Sequence, residues 1–391
     1  MRSVGGGYDN ECIAMTAMLM TFYFWVRSVR TERSWPIGIV AGLAYGYMVA
    51  AWGGFIFVLN MVAVHAAVLA IIHFVTNRYS AGLHRAYSLF FVIGTFIATC
   101  VPPVGMTPFK SLEQLLGVVV FVFLQAMYVV ERRRQATGSK PLSLRGISEL
   151  LKVFVCTVAL LAVVAAALTP TGYFGPLSSR VRGLFVKHTR TGNPLVDSVA
   201  EHQPANADAF WHYLHYGYYA WSAGTGLYAL LLLLGGRRFT AGASFMVAYS
   251  LAVYYFALRM ARLVILTGPV ASCCVGAVAG LLIDWCLEQF FWSKDEPSSV
   301  KRSKSSGESS SQLKAAFDVL SLQFLKHPKY RPVKLALSVF IMGVLITQIP
   351  AKYQVFSTHS EQMAESFSNP RIMLKGRLNN GQTVIIDDYR E

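Results

Sequence analysis

The chain has 391 residues, of which 54% are hydrophobic and only 14% are charged. This composition excludes an ordinary soluble domain and is typical of a protein that crosses a membrane several times. The formal net charge of +15 would also suit a nucleic-acid-binding protein, but the positions of the basic residues argue against that class.

About ten apolar stretches approach the length that crosses a bilayer, which takes roughly 17–25 residues. They cover residues 11–26, 36–51, 54–76, 87–104, 114–130, 149–170, 209–234, 239–258, 263–285 and 334–349. The first two and the last are short for a full crossing. The predicted fold class is therefore an all-α polytopic membrane protein.

Basic residues are concentrated in alternate loops between these stretches. One set of loops holds Arg27, Arg30, Arg33, Arg78, Arg85, Arg132, Arg133, Arg134, Lys140, Arg145, Arg237 and Arg238, and the segment from Lys294 to Lys334 falls on the same side. Because lysine and arginine are enriched in cytoplasmic loops, we expect this side to be cytoplasmic. Ten spans then place both termini on the external side, and no nucleic-acid partner is expected.

Polar regions divide the chain further. A long external loop covers 171–208, and a Ser/Lys-rich segment that follows residue 293 is typical of a disordered linker. The predicted organisation is a multi-span membrane domain (1–293), a cytoplasmic linker with a surface helix (294–332), a last transmembrane helix (333–349) and the truncated start of an external α/β domain (350–391).

The last of these regions carries a hairpin signal. Asn380-Gly381 precedes the β-branched run Thr383-Val384-Ile385-Ile386, and an Asn-Gly pair beside such a run is typical of a tight β-hairpin.

Three acidic residues, Asp9, Glu11 and Glu201, lie just outside apolar stretches on the predicted external face. Carboxylates are costly near hydrocarbon, so their convergence at a membrane face indicates a cation or substrate site. Helix capping explains Asp9 and Glu11 as well, since acidic residues stabilise the positive end of a helix. The six cysteines form no Cys-x-x-Cys pair or Cys/His cluster, so neither zinc nor a disulfide framework is indicated.

The segments that hold these acids resemble a known family. Residues 2–11 (Arg-Ser-Val-Gly-Gly-Gly-Tyr-Asp-Asn-Glu) and 198–204 (Ser-Val-Ala-Glu-His-Gln-Pro) resemble the second acidic motif and the Ser-Val-Ser-Glu motif of the catalytic subunit of oligosaccharyltransferase. Ala200 replaces the second serine of that motif. The similarity covers most of the chain and includes Ala51-Trp52-Gly53-Gly54 and residues 259–263, Arg-Met-Ala-Arg-Leu.

The resemblance implies a glycosyltransferase of the GT-C type. Such an enzyme transfers a preassembled oligosaccharide from a dolichyl diphosphate donor to the asparagine of Asn-x-Ser/Thr acceptors, with inversion at the anomeric carbon and with Mn²⁺ or Mg²⁺ as cofactor. Its expected location is the endoplasmic reticulum membrane with a lumenal active-site face. Its partners are the membrane, the lipid-linked donor and the nascent polypeptide, and the resemblance leaves room for further oligosaccharyltransferase subunits.

The resemblance also assigns roles to residues. Glu201 contacts the acceptor asparagine, Arg2 supports the acidic cluster, Asp9 and Glu11 hold or surround the metal, and Arg262 binds the donor diphosphate. Each residue has a plainer interpretation: Glu201 as a loop acid, Arg2 as an interfacial residue, and Arg262 as an arginine that extends to the headgroups.

Two other functions stay open at this point. A transporter or ion-coupled carrier also places acids in a membrane domain, but near the bilayer midplane and often at broken helices. The third reading is a catalytically incomplete fragment, because the family's first-loop aspartate and its Trp-Trp-Asp-Tyr-Gly motif are not found in this sequence. On that reading, residues 1–391 alone insert into membrane and transfer no glycan.

Overall fold

A computed structural model describes residues 10–76, 78–138, 144–173, 203–214, 217–234, 240–290, 331–368, 374–377 and 383–386. The α-helices are α1 Glu11–Ser28, α2 Ile37–Ala51, α3 Phe55–Val75, α4 Ala81–Cys100, α5 Thr107–Lys110, α6 Leu115–Thr137, α7 Leu144–Leu168, α8 Ala207–Leu214, α9 Gly217–Leu234, α10 Ala241–Arg259, α11 Thr267–Phe290 and α12 Arg331–Ser368. Short 3₁₀ helices cover Glu32–Ser34, Thr169–Thr171 and Ala261–Leu266. The predicted all-α membrane architecture is confirmed.

Each of the ten apolar stretches is helical over most of its length. Among the described residues, seven helical segments are long and apolar enough to cross a membrane by length and composition, and Ile37–Ala51 is apolar but shorter. α1 and α9 fall outside the seven. α1 carries Glu11 and Arg27 near its ends, and α9 opens with Gly217 followed by two tyrosines, which lowers the hydropathy of both helices.

The helix that contains the predicted last span is longer than that span. The predicted last span stops at 349, whereas α12 continues through Pro350 to Ser368. A proline favours a helix boundary just before it, but it removes only one backbone hydrogen bond and is tolerated where the rest of the helix is stable. Residues 351–368 are therefore part of the same helix as the predicted last span.

The hairpin prediction is confirmed in its strands. β1 (Leu374–Arg377) and β2 (Thr383–Ile386) pair antiparallel, with Arg377 opposite Thr383 and Leu374 opposite Ile386. The turn that contains Asn380-Gly381 and the predicted surface helix in 294–332 lie outside the described residues.

The centre of the bundle contains aromatic side chains and one buried polar chain. The Trp25 indole N–H donates to His65 Nδ1 at 3.0 Å, and His65 Nε2 lies 2.9 Å from Ser244 Oγ. His65 is 1% exposed, so its two ring nitrogens need these partners. These hydrogen bonds link α1, α3 and α10. Of these helices, α1 and α10 lead to the candidate site.

A glycine stripe lets α2 approach α4 closely. Gly38, Gly42 and Gly46 follow one another at four-residue spacing on α2, which puts them on one face. A Cβ added at Gly38 would lie 2.5 Å from the Ala86 carbonyl oxygen, and one at Gly46 would lie 2.5 Å from Ile97 Cγ2. Small residues at such spacing allow helix backbones to pack tightly in membranes.

We expect Gly38→Ala to destabilise the folded protein by about 1–3 kcal/mol, the usual cost of overpacking. The methyl group would meet backbone atoms of α4, which cannot move aside as a side chain can. The matched control is Gly276→Ala in α11, where no atom lies within 4 Å of the added Cβ and alanine favours the helix. Denaturation midpoints of the purified variants in detergent measure both changes, and equal midpoints would contradict the close packing of α2 on α4.

Candidate active site

The structure describes two of the five residues that the sequence assigns to a site. Glu11 is the first residue of α1, and Arg262 lies in the 3₁₀ helix Ala261–Leu266 between α10 and α11. Arg2, Asp9 and Glu201 lie outside the described residues, so their assigned roles stay predictions.

Glu11 and Arg262 form an ion pair. Arg262 Nη2 and Nε donate to the same oxygen, Glu11 Oε1, at 2.8 and 3.1 Å. The Glu11 side chain is fully buried, whereas 36% of the Arg262 side chain is exposed. A guanidinium has five N–H donors, and these two contacts leave others on a partly exposed cation. Arg262 can therefore neutralise the buried Glu11 carboxylate and still bind an anion.

Arg262 lies near the start of the candidate span Ala261–Phe290, in its 3₁₀ part and not in the α-helix that follows. Met260 is extended (φ −149°, ψ 120°) and separates α10 from the 3₁₀ helix. Val264 and Leu266 are buried, and the Thr267 hydroxyl donates to the Val264 carbonyl at 2.6 Å. The two buried side chains hold the 3₁₀ helix against the bundle, and the hydrogen bond closes its end locally, so the backbone that carries Arg262 is held in place.

The start of α1 is held against the end of α2. Asn10, the residue before α1, makes no side-chain capping bond and instead donates from Nδ2 to the Ala51 carbonyl at 2.9 Å. Asn10 therefore does not cap α1 with its side chain. Trp52 follows in an extended conformation, and its ring occupies the space that a Cβ on Gly54 would need. Residues 52–54 form a tight turn between α2 and α3, in which the Phe55 N–H donates to the Trp52 carbonyl at 3.2 Å.

A contact that the sequence did not predict joins the end of the 171–208 loop to the 3₁₀ helix Ala261–Leu266, the Arg262 turn. The Ala261 N–H donates to the Gln203 carbonyl at 2.8 Å. Ala205 is buried in the main core, and Asn206 Oδ1 accepts from the Ala209 N–H at 3.0 Å at the start of α8. Backbone hydrogen bonds carry no residue preference, so no sequence signal marks this contact.

The family model for the oligosaccharyl transferase STT3 N-terminal region matches residues 1–275. The chain belongs to the STT3 family. The glycosyltransferase subunit stt3 of Schizosaccharomyces pombe is 31% identical over 394 residues, which is all of this chain and 49% of that protein. Subunit STT3B of Oryza sativa is 32% identical over 392 residues, all of this chain and 50% of that protein.

The STT3-family chain thus spans about half the length of the curated relatives that it matches. The archaeal oligosaccharyltransferase AglB of Archaeoglobus fulgidus, solved with an inhibitory peptide and a dolichol-phosphate, has a similar fold. The TM-score is 0.51 at 15% identity, over 83% of this chain and 37% of that one. A structure of the same archaeal protein tethered to an acceptor peptide covers 85% of this chain at 14% identity. These likenesses show that the chain shares its fold with the matched part of the archaeal protein.

The metal prediction rests on residues that the structure describes only in part. Within the described ranges, no group of three or more His, Cys, Asp or Glu side chains is placed to hold a metal ion. Glu11 is the single predicted ligand in those ranges, and its carboxylate oxygens are of the type that Mg²⁺ and Mn²⁺ prefer. The donor chemistry fits a hard cation, and the metal site stays a prediction.

Arg259 has a different environment from Arg262. Its guanidinium lies over the Tyr255 ring, 5.2 Å from the centroid, and Nη2 is 3.5 Å from Tyr255 Oη. Both contacts are within α10, one helical turn apart. Arg259 carries the same charge as Arg262 and lies at the end of α10, so it can serve as a control for Arg262.

Proposed function

We propose that this STT3-family chain supplies the donor-binding part of an oligosaccharyltransferase active site. The enzyme would transfer an oligosaccharide from a dolichyl diphosphate to the asparagine of an Asn-x-Ser/Thr acceptor. The observation that carries the proposal is the Arg262–Glu11 pair at the end of the bundle where Gln203 meets Ala261. It unites elements from three distant parts of the chain.

Arg262 is the proposed ligand of the donor diphosphate. The departing group of the reaction carries negative charge, and a guanidinium binds phosphate oxygens through a planar fork of donors. The buried Glu11 carboxylate fixes one edge of Arg262. The cation is then already oriented when the donor arrives, which is the condition for electrostatic stabilisation of a transition state.

Glu201 is the proposed contact for the acceptor. An asparagine amide is a poor nucleophile because its nitrogen lone pair is delocalised into the carbonyl, so a carboxylate that accepts from the amide N–H groups favours attack. Glu201 precedes Gln203 by two residues, and two residues extend at most about 7 Å. The Ala261 N–H donates to the Gln203 carbonyl, and this contact next to the acceptor motif in sequence supports the proposed role.

Asp9 and Glu11 are the proposed residues of a Mn²⁺ or Mg²⁺ site, with Arg2 supporting the acidic cluster. A divalent cation supplies charge stabilisation for a departing diphosphate. Glu11 accepts from Arg262 through one carboxylate oxygen. Glu11 would therefore contact both the arginine that binds the diphosphate and the predicted metal.

The transporter alternative is less well supported. A coupled carrier places its ionic residues near the bilayer midplane, whereas Glu11 is the first residue of α1 and Arg262 lies in a turn between helices. Sites at helix ends suit chemistry at a membrane face. We propose that this face is the lumenal side of the endoplasmic reticulum membrane, where the lipid-linked donor, the nascent polypeptide and other oligosaccharyltransferase subunits would be the partners.

The proposal is tested by Arg262→Lys in the full-length protein. Lysine keeps the charge opposite Glu11 but lacks the fork of donors. Because hydrogen bonds to charged groups contribute about 1.5–3 kcal/mol, we expect the KM for a lipid-linked oligosaccharide to rise about tenfold or more. Arg259→Lys is the matched control and should leave the KM within about twofold. An unchanged donor KM in Arg262→Lys would contradict the donor-binding role.

A further inference from the structure

Tyr249 of α10 makes contact with both elements that form the ion pair. Its hydroxyl donates to the Leu266 carbonyl, the last residue of the Arg262 turn, at 3.0 Å. The same oxygen lies 3.9 Å from Met18 Sδ of α1, the helix that begins with Glu11. One side chain thus bridges the helix of Glu11 and the turn of Arg262.

The position of the Tyr249 hydroxyl is set by the packing of its buried ring. Tyr249 is 2% exposed, and its ring packs against three phenylalanines on three helices. The centroid distances are 5.0 Å to Phe22, 6.1 Å to Phe57 and 5.9 Å to Phe245. A buried tyrosine hydroxyl needs an acceptor, and here the acceptor is the backbone of the turn.

We infer that Tyr249 is a positioning residue for Arg262. It sets the distance between α1 and the 3₁₀ helix, and thereby the place from which Arg262 reaches both Glu11 and the donor. Tyr249 acts through Arg262 and touches no substrate. This inference rests on the proposed function, because it assumes that Arg262 binds the donor diphosphate.

The alternative is that Tyr249 only stabilises the bundle, and the chain offers a matched residue for that case. Tyr87 of α4 is fully buried, and its hydroxyl also donates to a backbone carbonyl, that of Gly117, at 3.0 Å. Tyr87 has the same chemistry and burial, but its acceptor lies in α6 and not in the Arg262 turn.

The test compares Tyr249→Phe with Tyr87→Phe in the full-length protein. Each variant loses one hydrogen bond, so both should lower the thermal midpoint to a similar extent. We expect only Tyr249→Phe to raise the KM for the lipid-linked donor, by roughly three- to tenfold, the effect of about one hydrogen bond. The KM for an Asn-x-Thr peptide should stay unchanged in both.

The double variant Tyr249→Phe/Arg262→Lys distinguishes an effect of Tyr249 through Arg262 from an independent effect of Tyr249 on donor binding. If Tyr249 acts through Arg262, the donor KM of the double variant equals that of Arg262→Lys, because the two changes are not additive. Additive effects, an unchanged donor KM in Tyr249→Phe, or equal rises in Tyr249→Phe and Tyr87→Phe would overturn the inference. A normal donor KM in Arg262→Lys would instead overturn the proposed function.

Discussion

Replacing Glu201 by glutamine in the full-length protein is expected to lower glycan transfer by about 10²–10³-fold, by analogy with the loss of one transition-state hydrogen-bond partner. Glutamine has nearly the same shape, but a neutral amide oxygen accepts from the acceptor N–H groups more weakly than a carboxylate does. The measurement is single-turnover transfer from a lipid-linked donor to an Asn-x-Thr peptide in the presence of Mn²⁺.

Asp208→Asn is the matched control for this prediction. Asp208 lies seven residues after Glu201, in the first turn of α8, and its side chain is exposed. The exchange removes one carboxylate in the same way, and we expect transfer to stay within about twofold, as is usual for a surface substitution. Full activity of Glu201→Gln, with normal membrane insertion, would remove Glu201 from the reaction.

Removing Arg262 is expected to destabilise the protein more than removing both members of its ion pair. Arg262→Met leaves the fully buried Glu11 carboxylate without its arginine, and loss of hydrogen bonds to a charged group costs about 1.5–3 kcal/mol. In Glu11→Gln/Arg262→Met no buried charge is left behind, so part of the stability returns. Denaturation midpoints in detergent give the coupling between the two positions.

The pair of Glu131 and Arg134 provides the control for that cycle. It also joins a buried carboxylate to an arginine, but both residues lie in the last turns of α6. Arg134→Met should lower the stability without a change in the donor KM. If the Glu11 and Arg262 changes are instead additive in stability, the two side chains do not interact in the folded protein, contrary to the geometry.

The sequence predicted much of the fold because the bilayer leaves few alternatives. Backbone groups in hydrocarbon must bond within their own segment, so an apolar stretch such as 54–76 becomes a helix whatever it packs against. The predicted boundaries were less accurate where a local signal competes with this rule. The last apolar stretch ends at 349, whereas the helix α12 continues through Pro350 to Ser368, because a single proline leaves the other backbone hydrogen bonds of the helix in place.

Part of the candidate site was also accessible from sequence. Glu11 was named because carboxylates near hydrocarbon are costly and indicate a site, whereas Arg262 was named by the family resemblance. Their direct pairing was not predicted, since 251 residues separate them and no pattern in the chain records which helix ends meet. The sequence analysis assigned a metal to Glu11 and a diphosphate to Arg262, and the structure adds that the two side chains bind each other.

Composition, hydropathy and charged motifs by themselves predicted a helical membrane protein with several spans. They also placed the candidate acidic residues on one side of the membrane and most basic loops on the other. Tertiary packing alone decided that the turn of Arg262 is held by Tyr249, that its first N–H is bound by Gln203, and that Glu11 is buried. The reason is physical: hydrophobicity acts on each segment separately, whereas the place of a hydroxyl or carbonyl depends on which helices pack together. Tyr249 looks like any aromatic residue in an apolar helix until its neighbours are known.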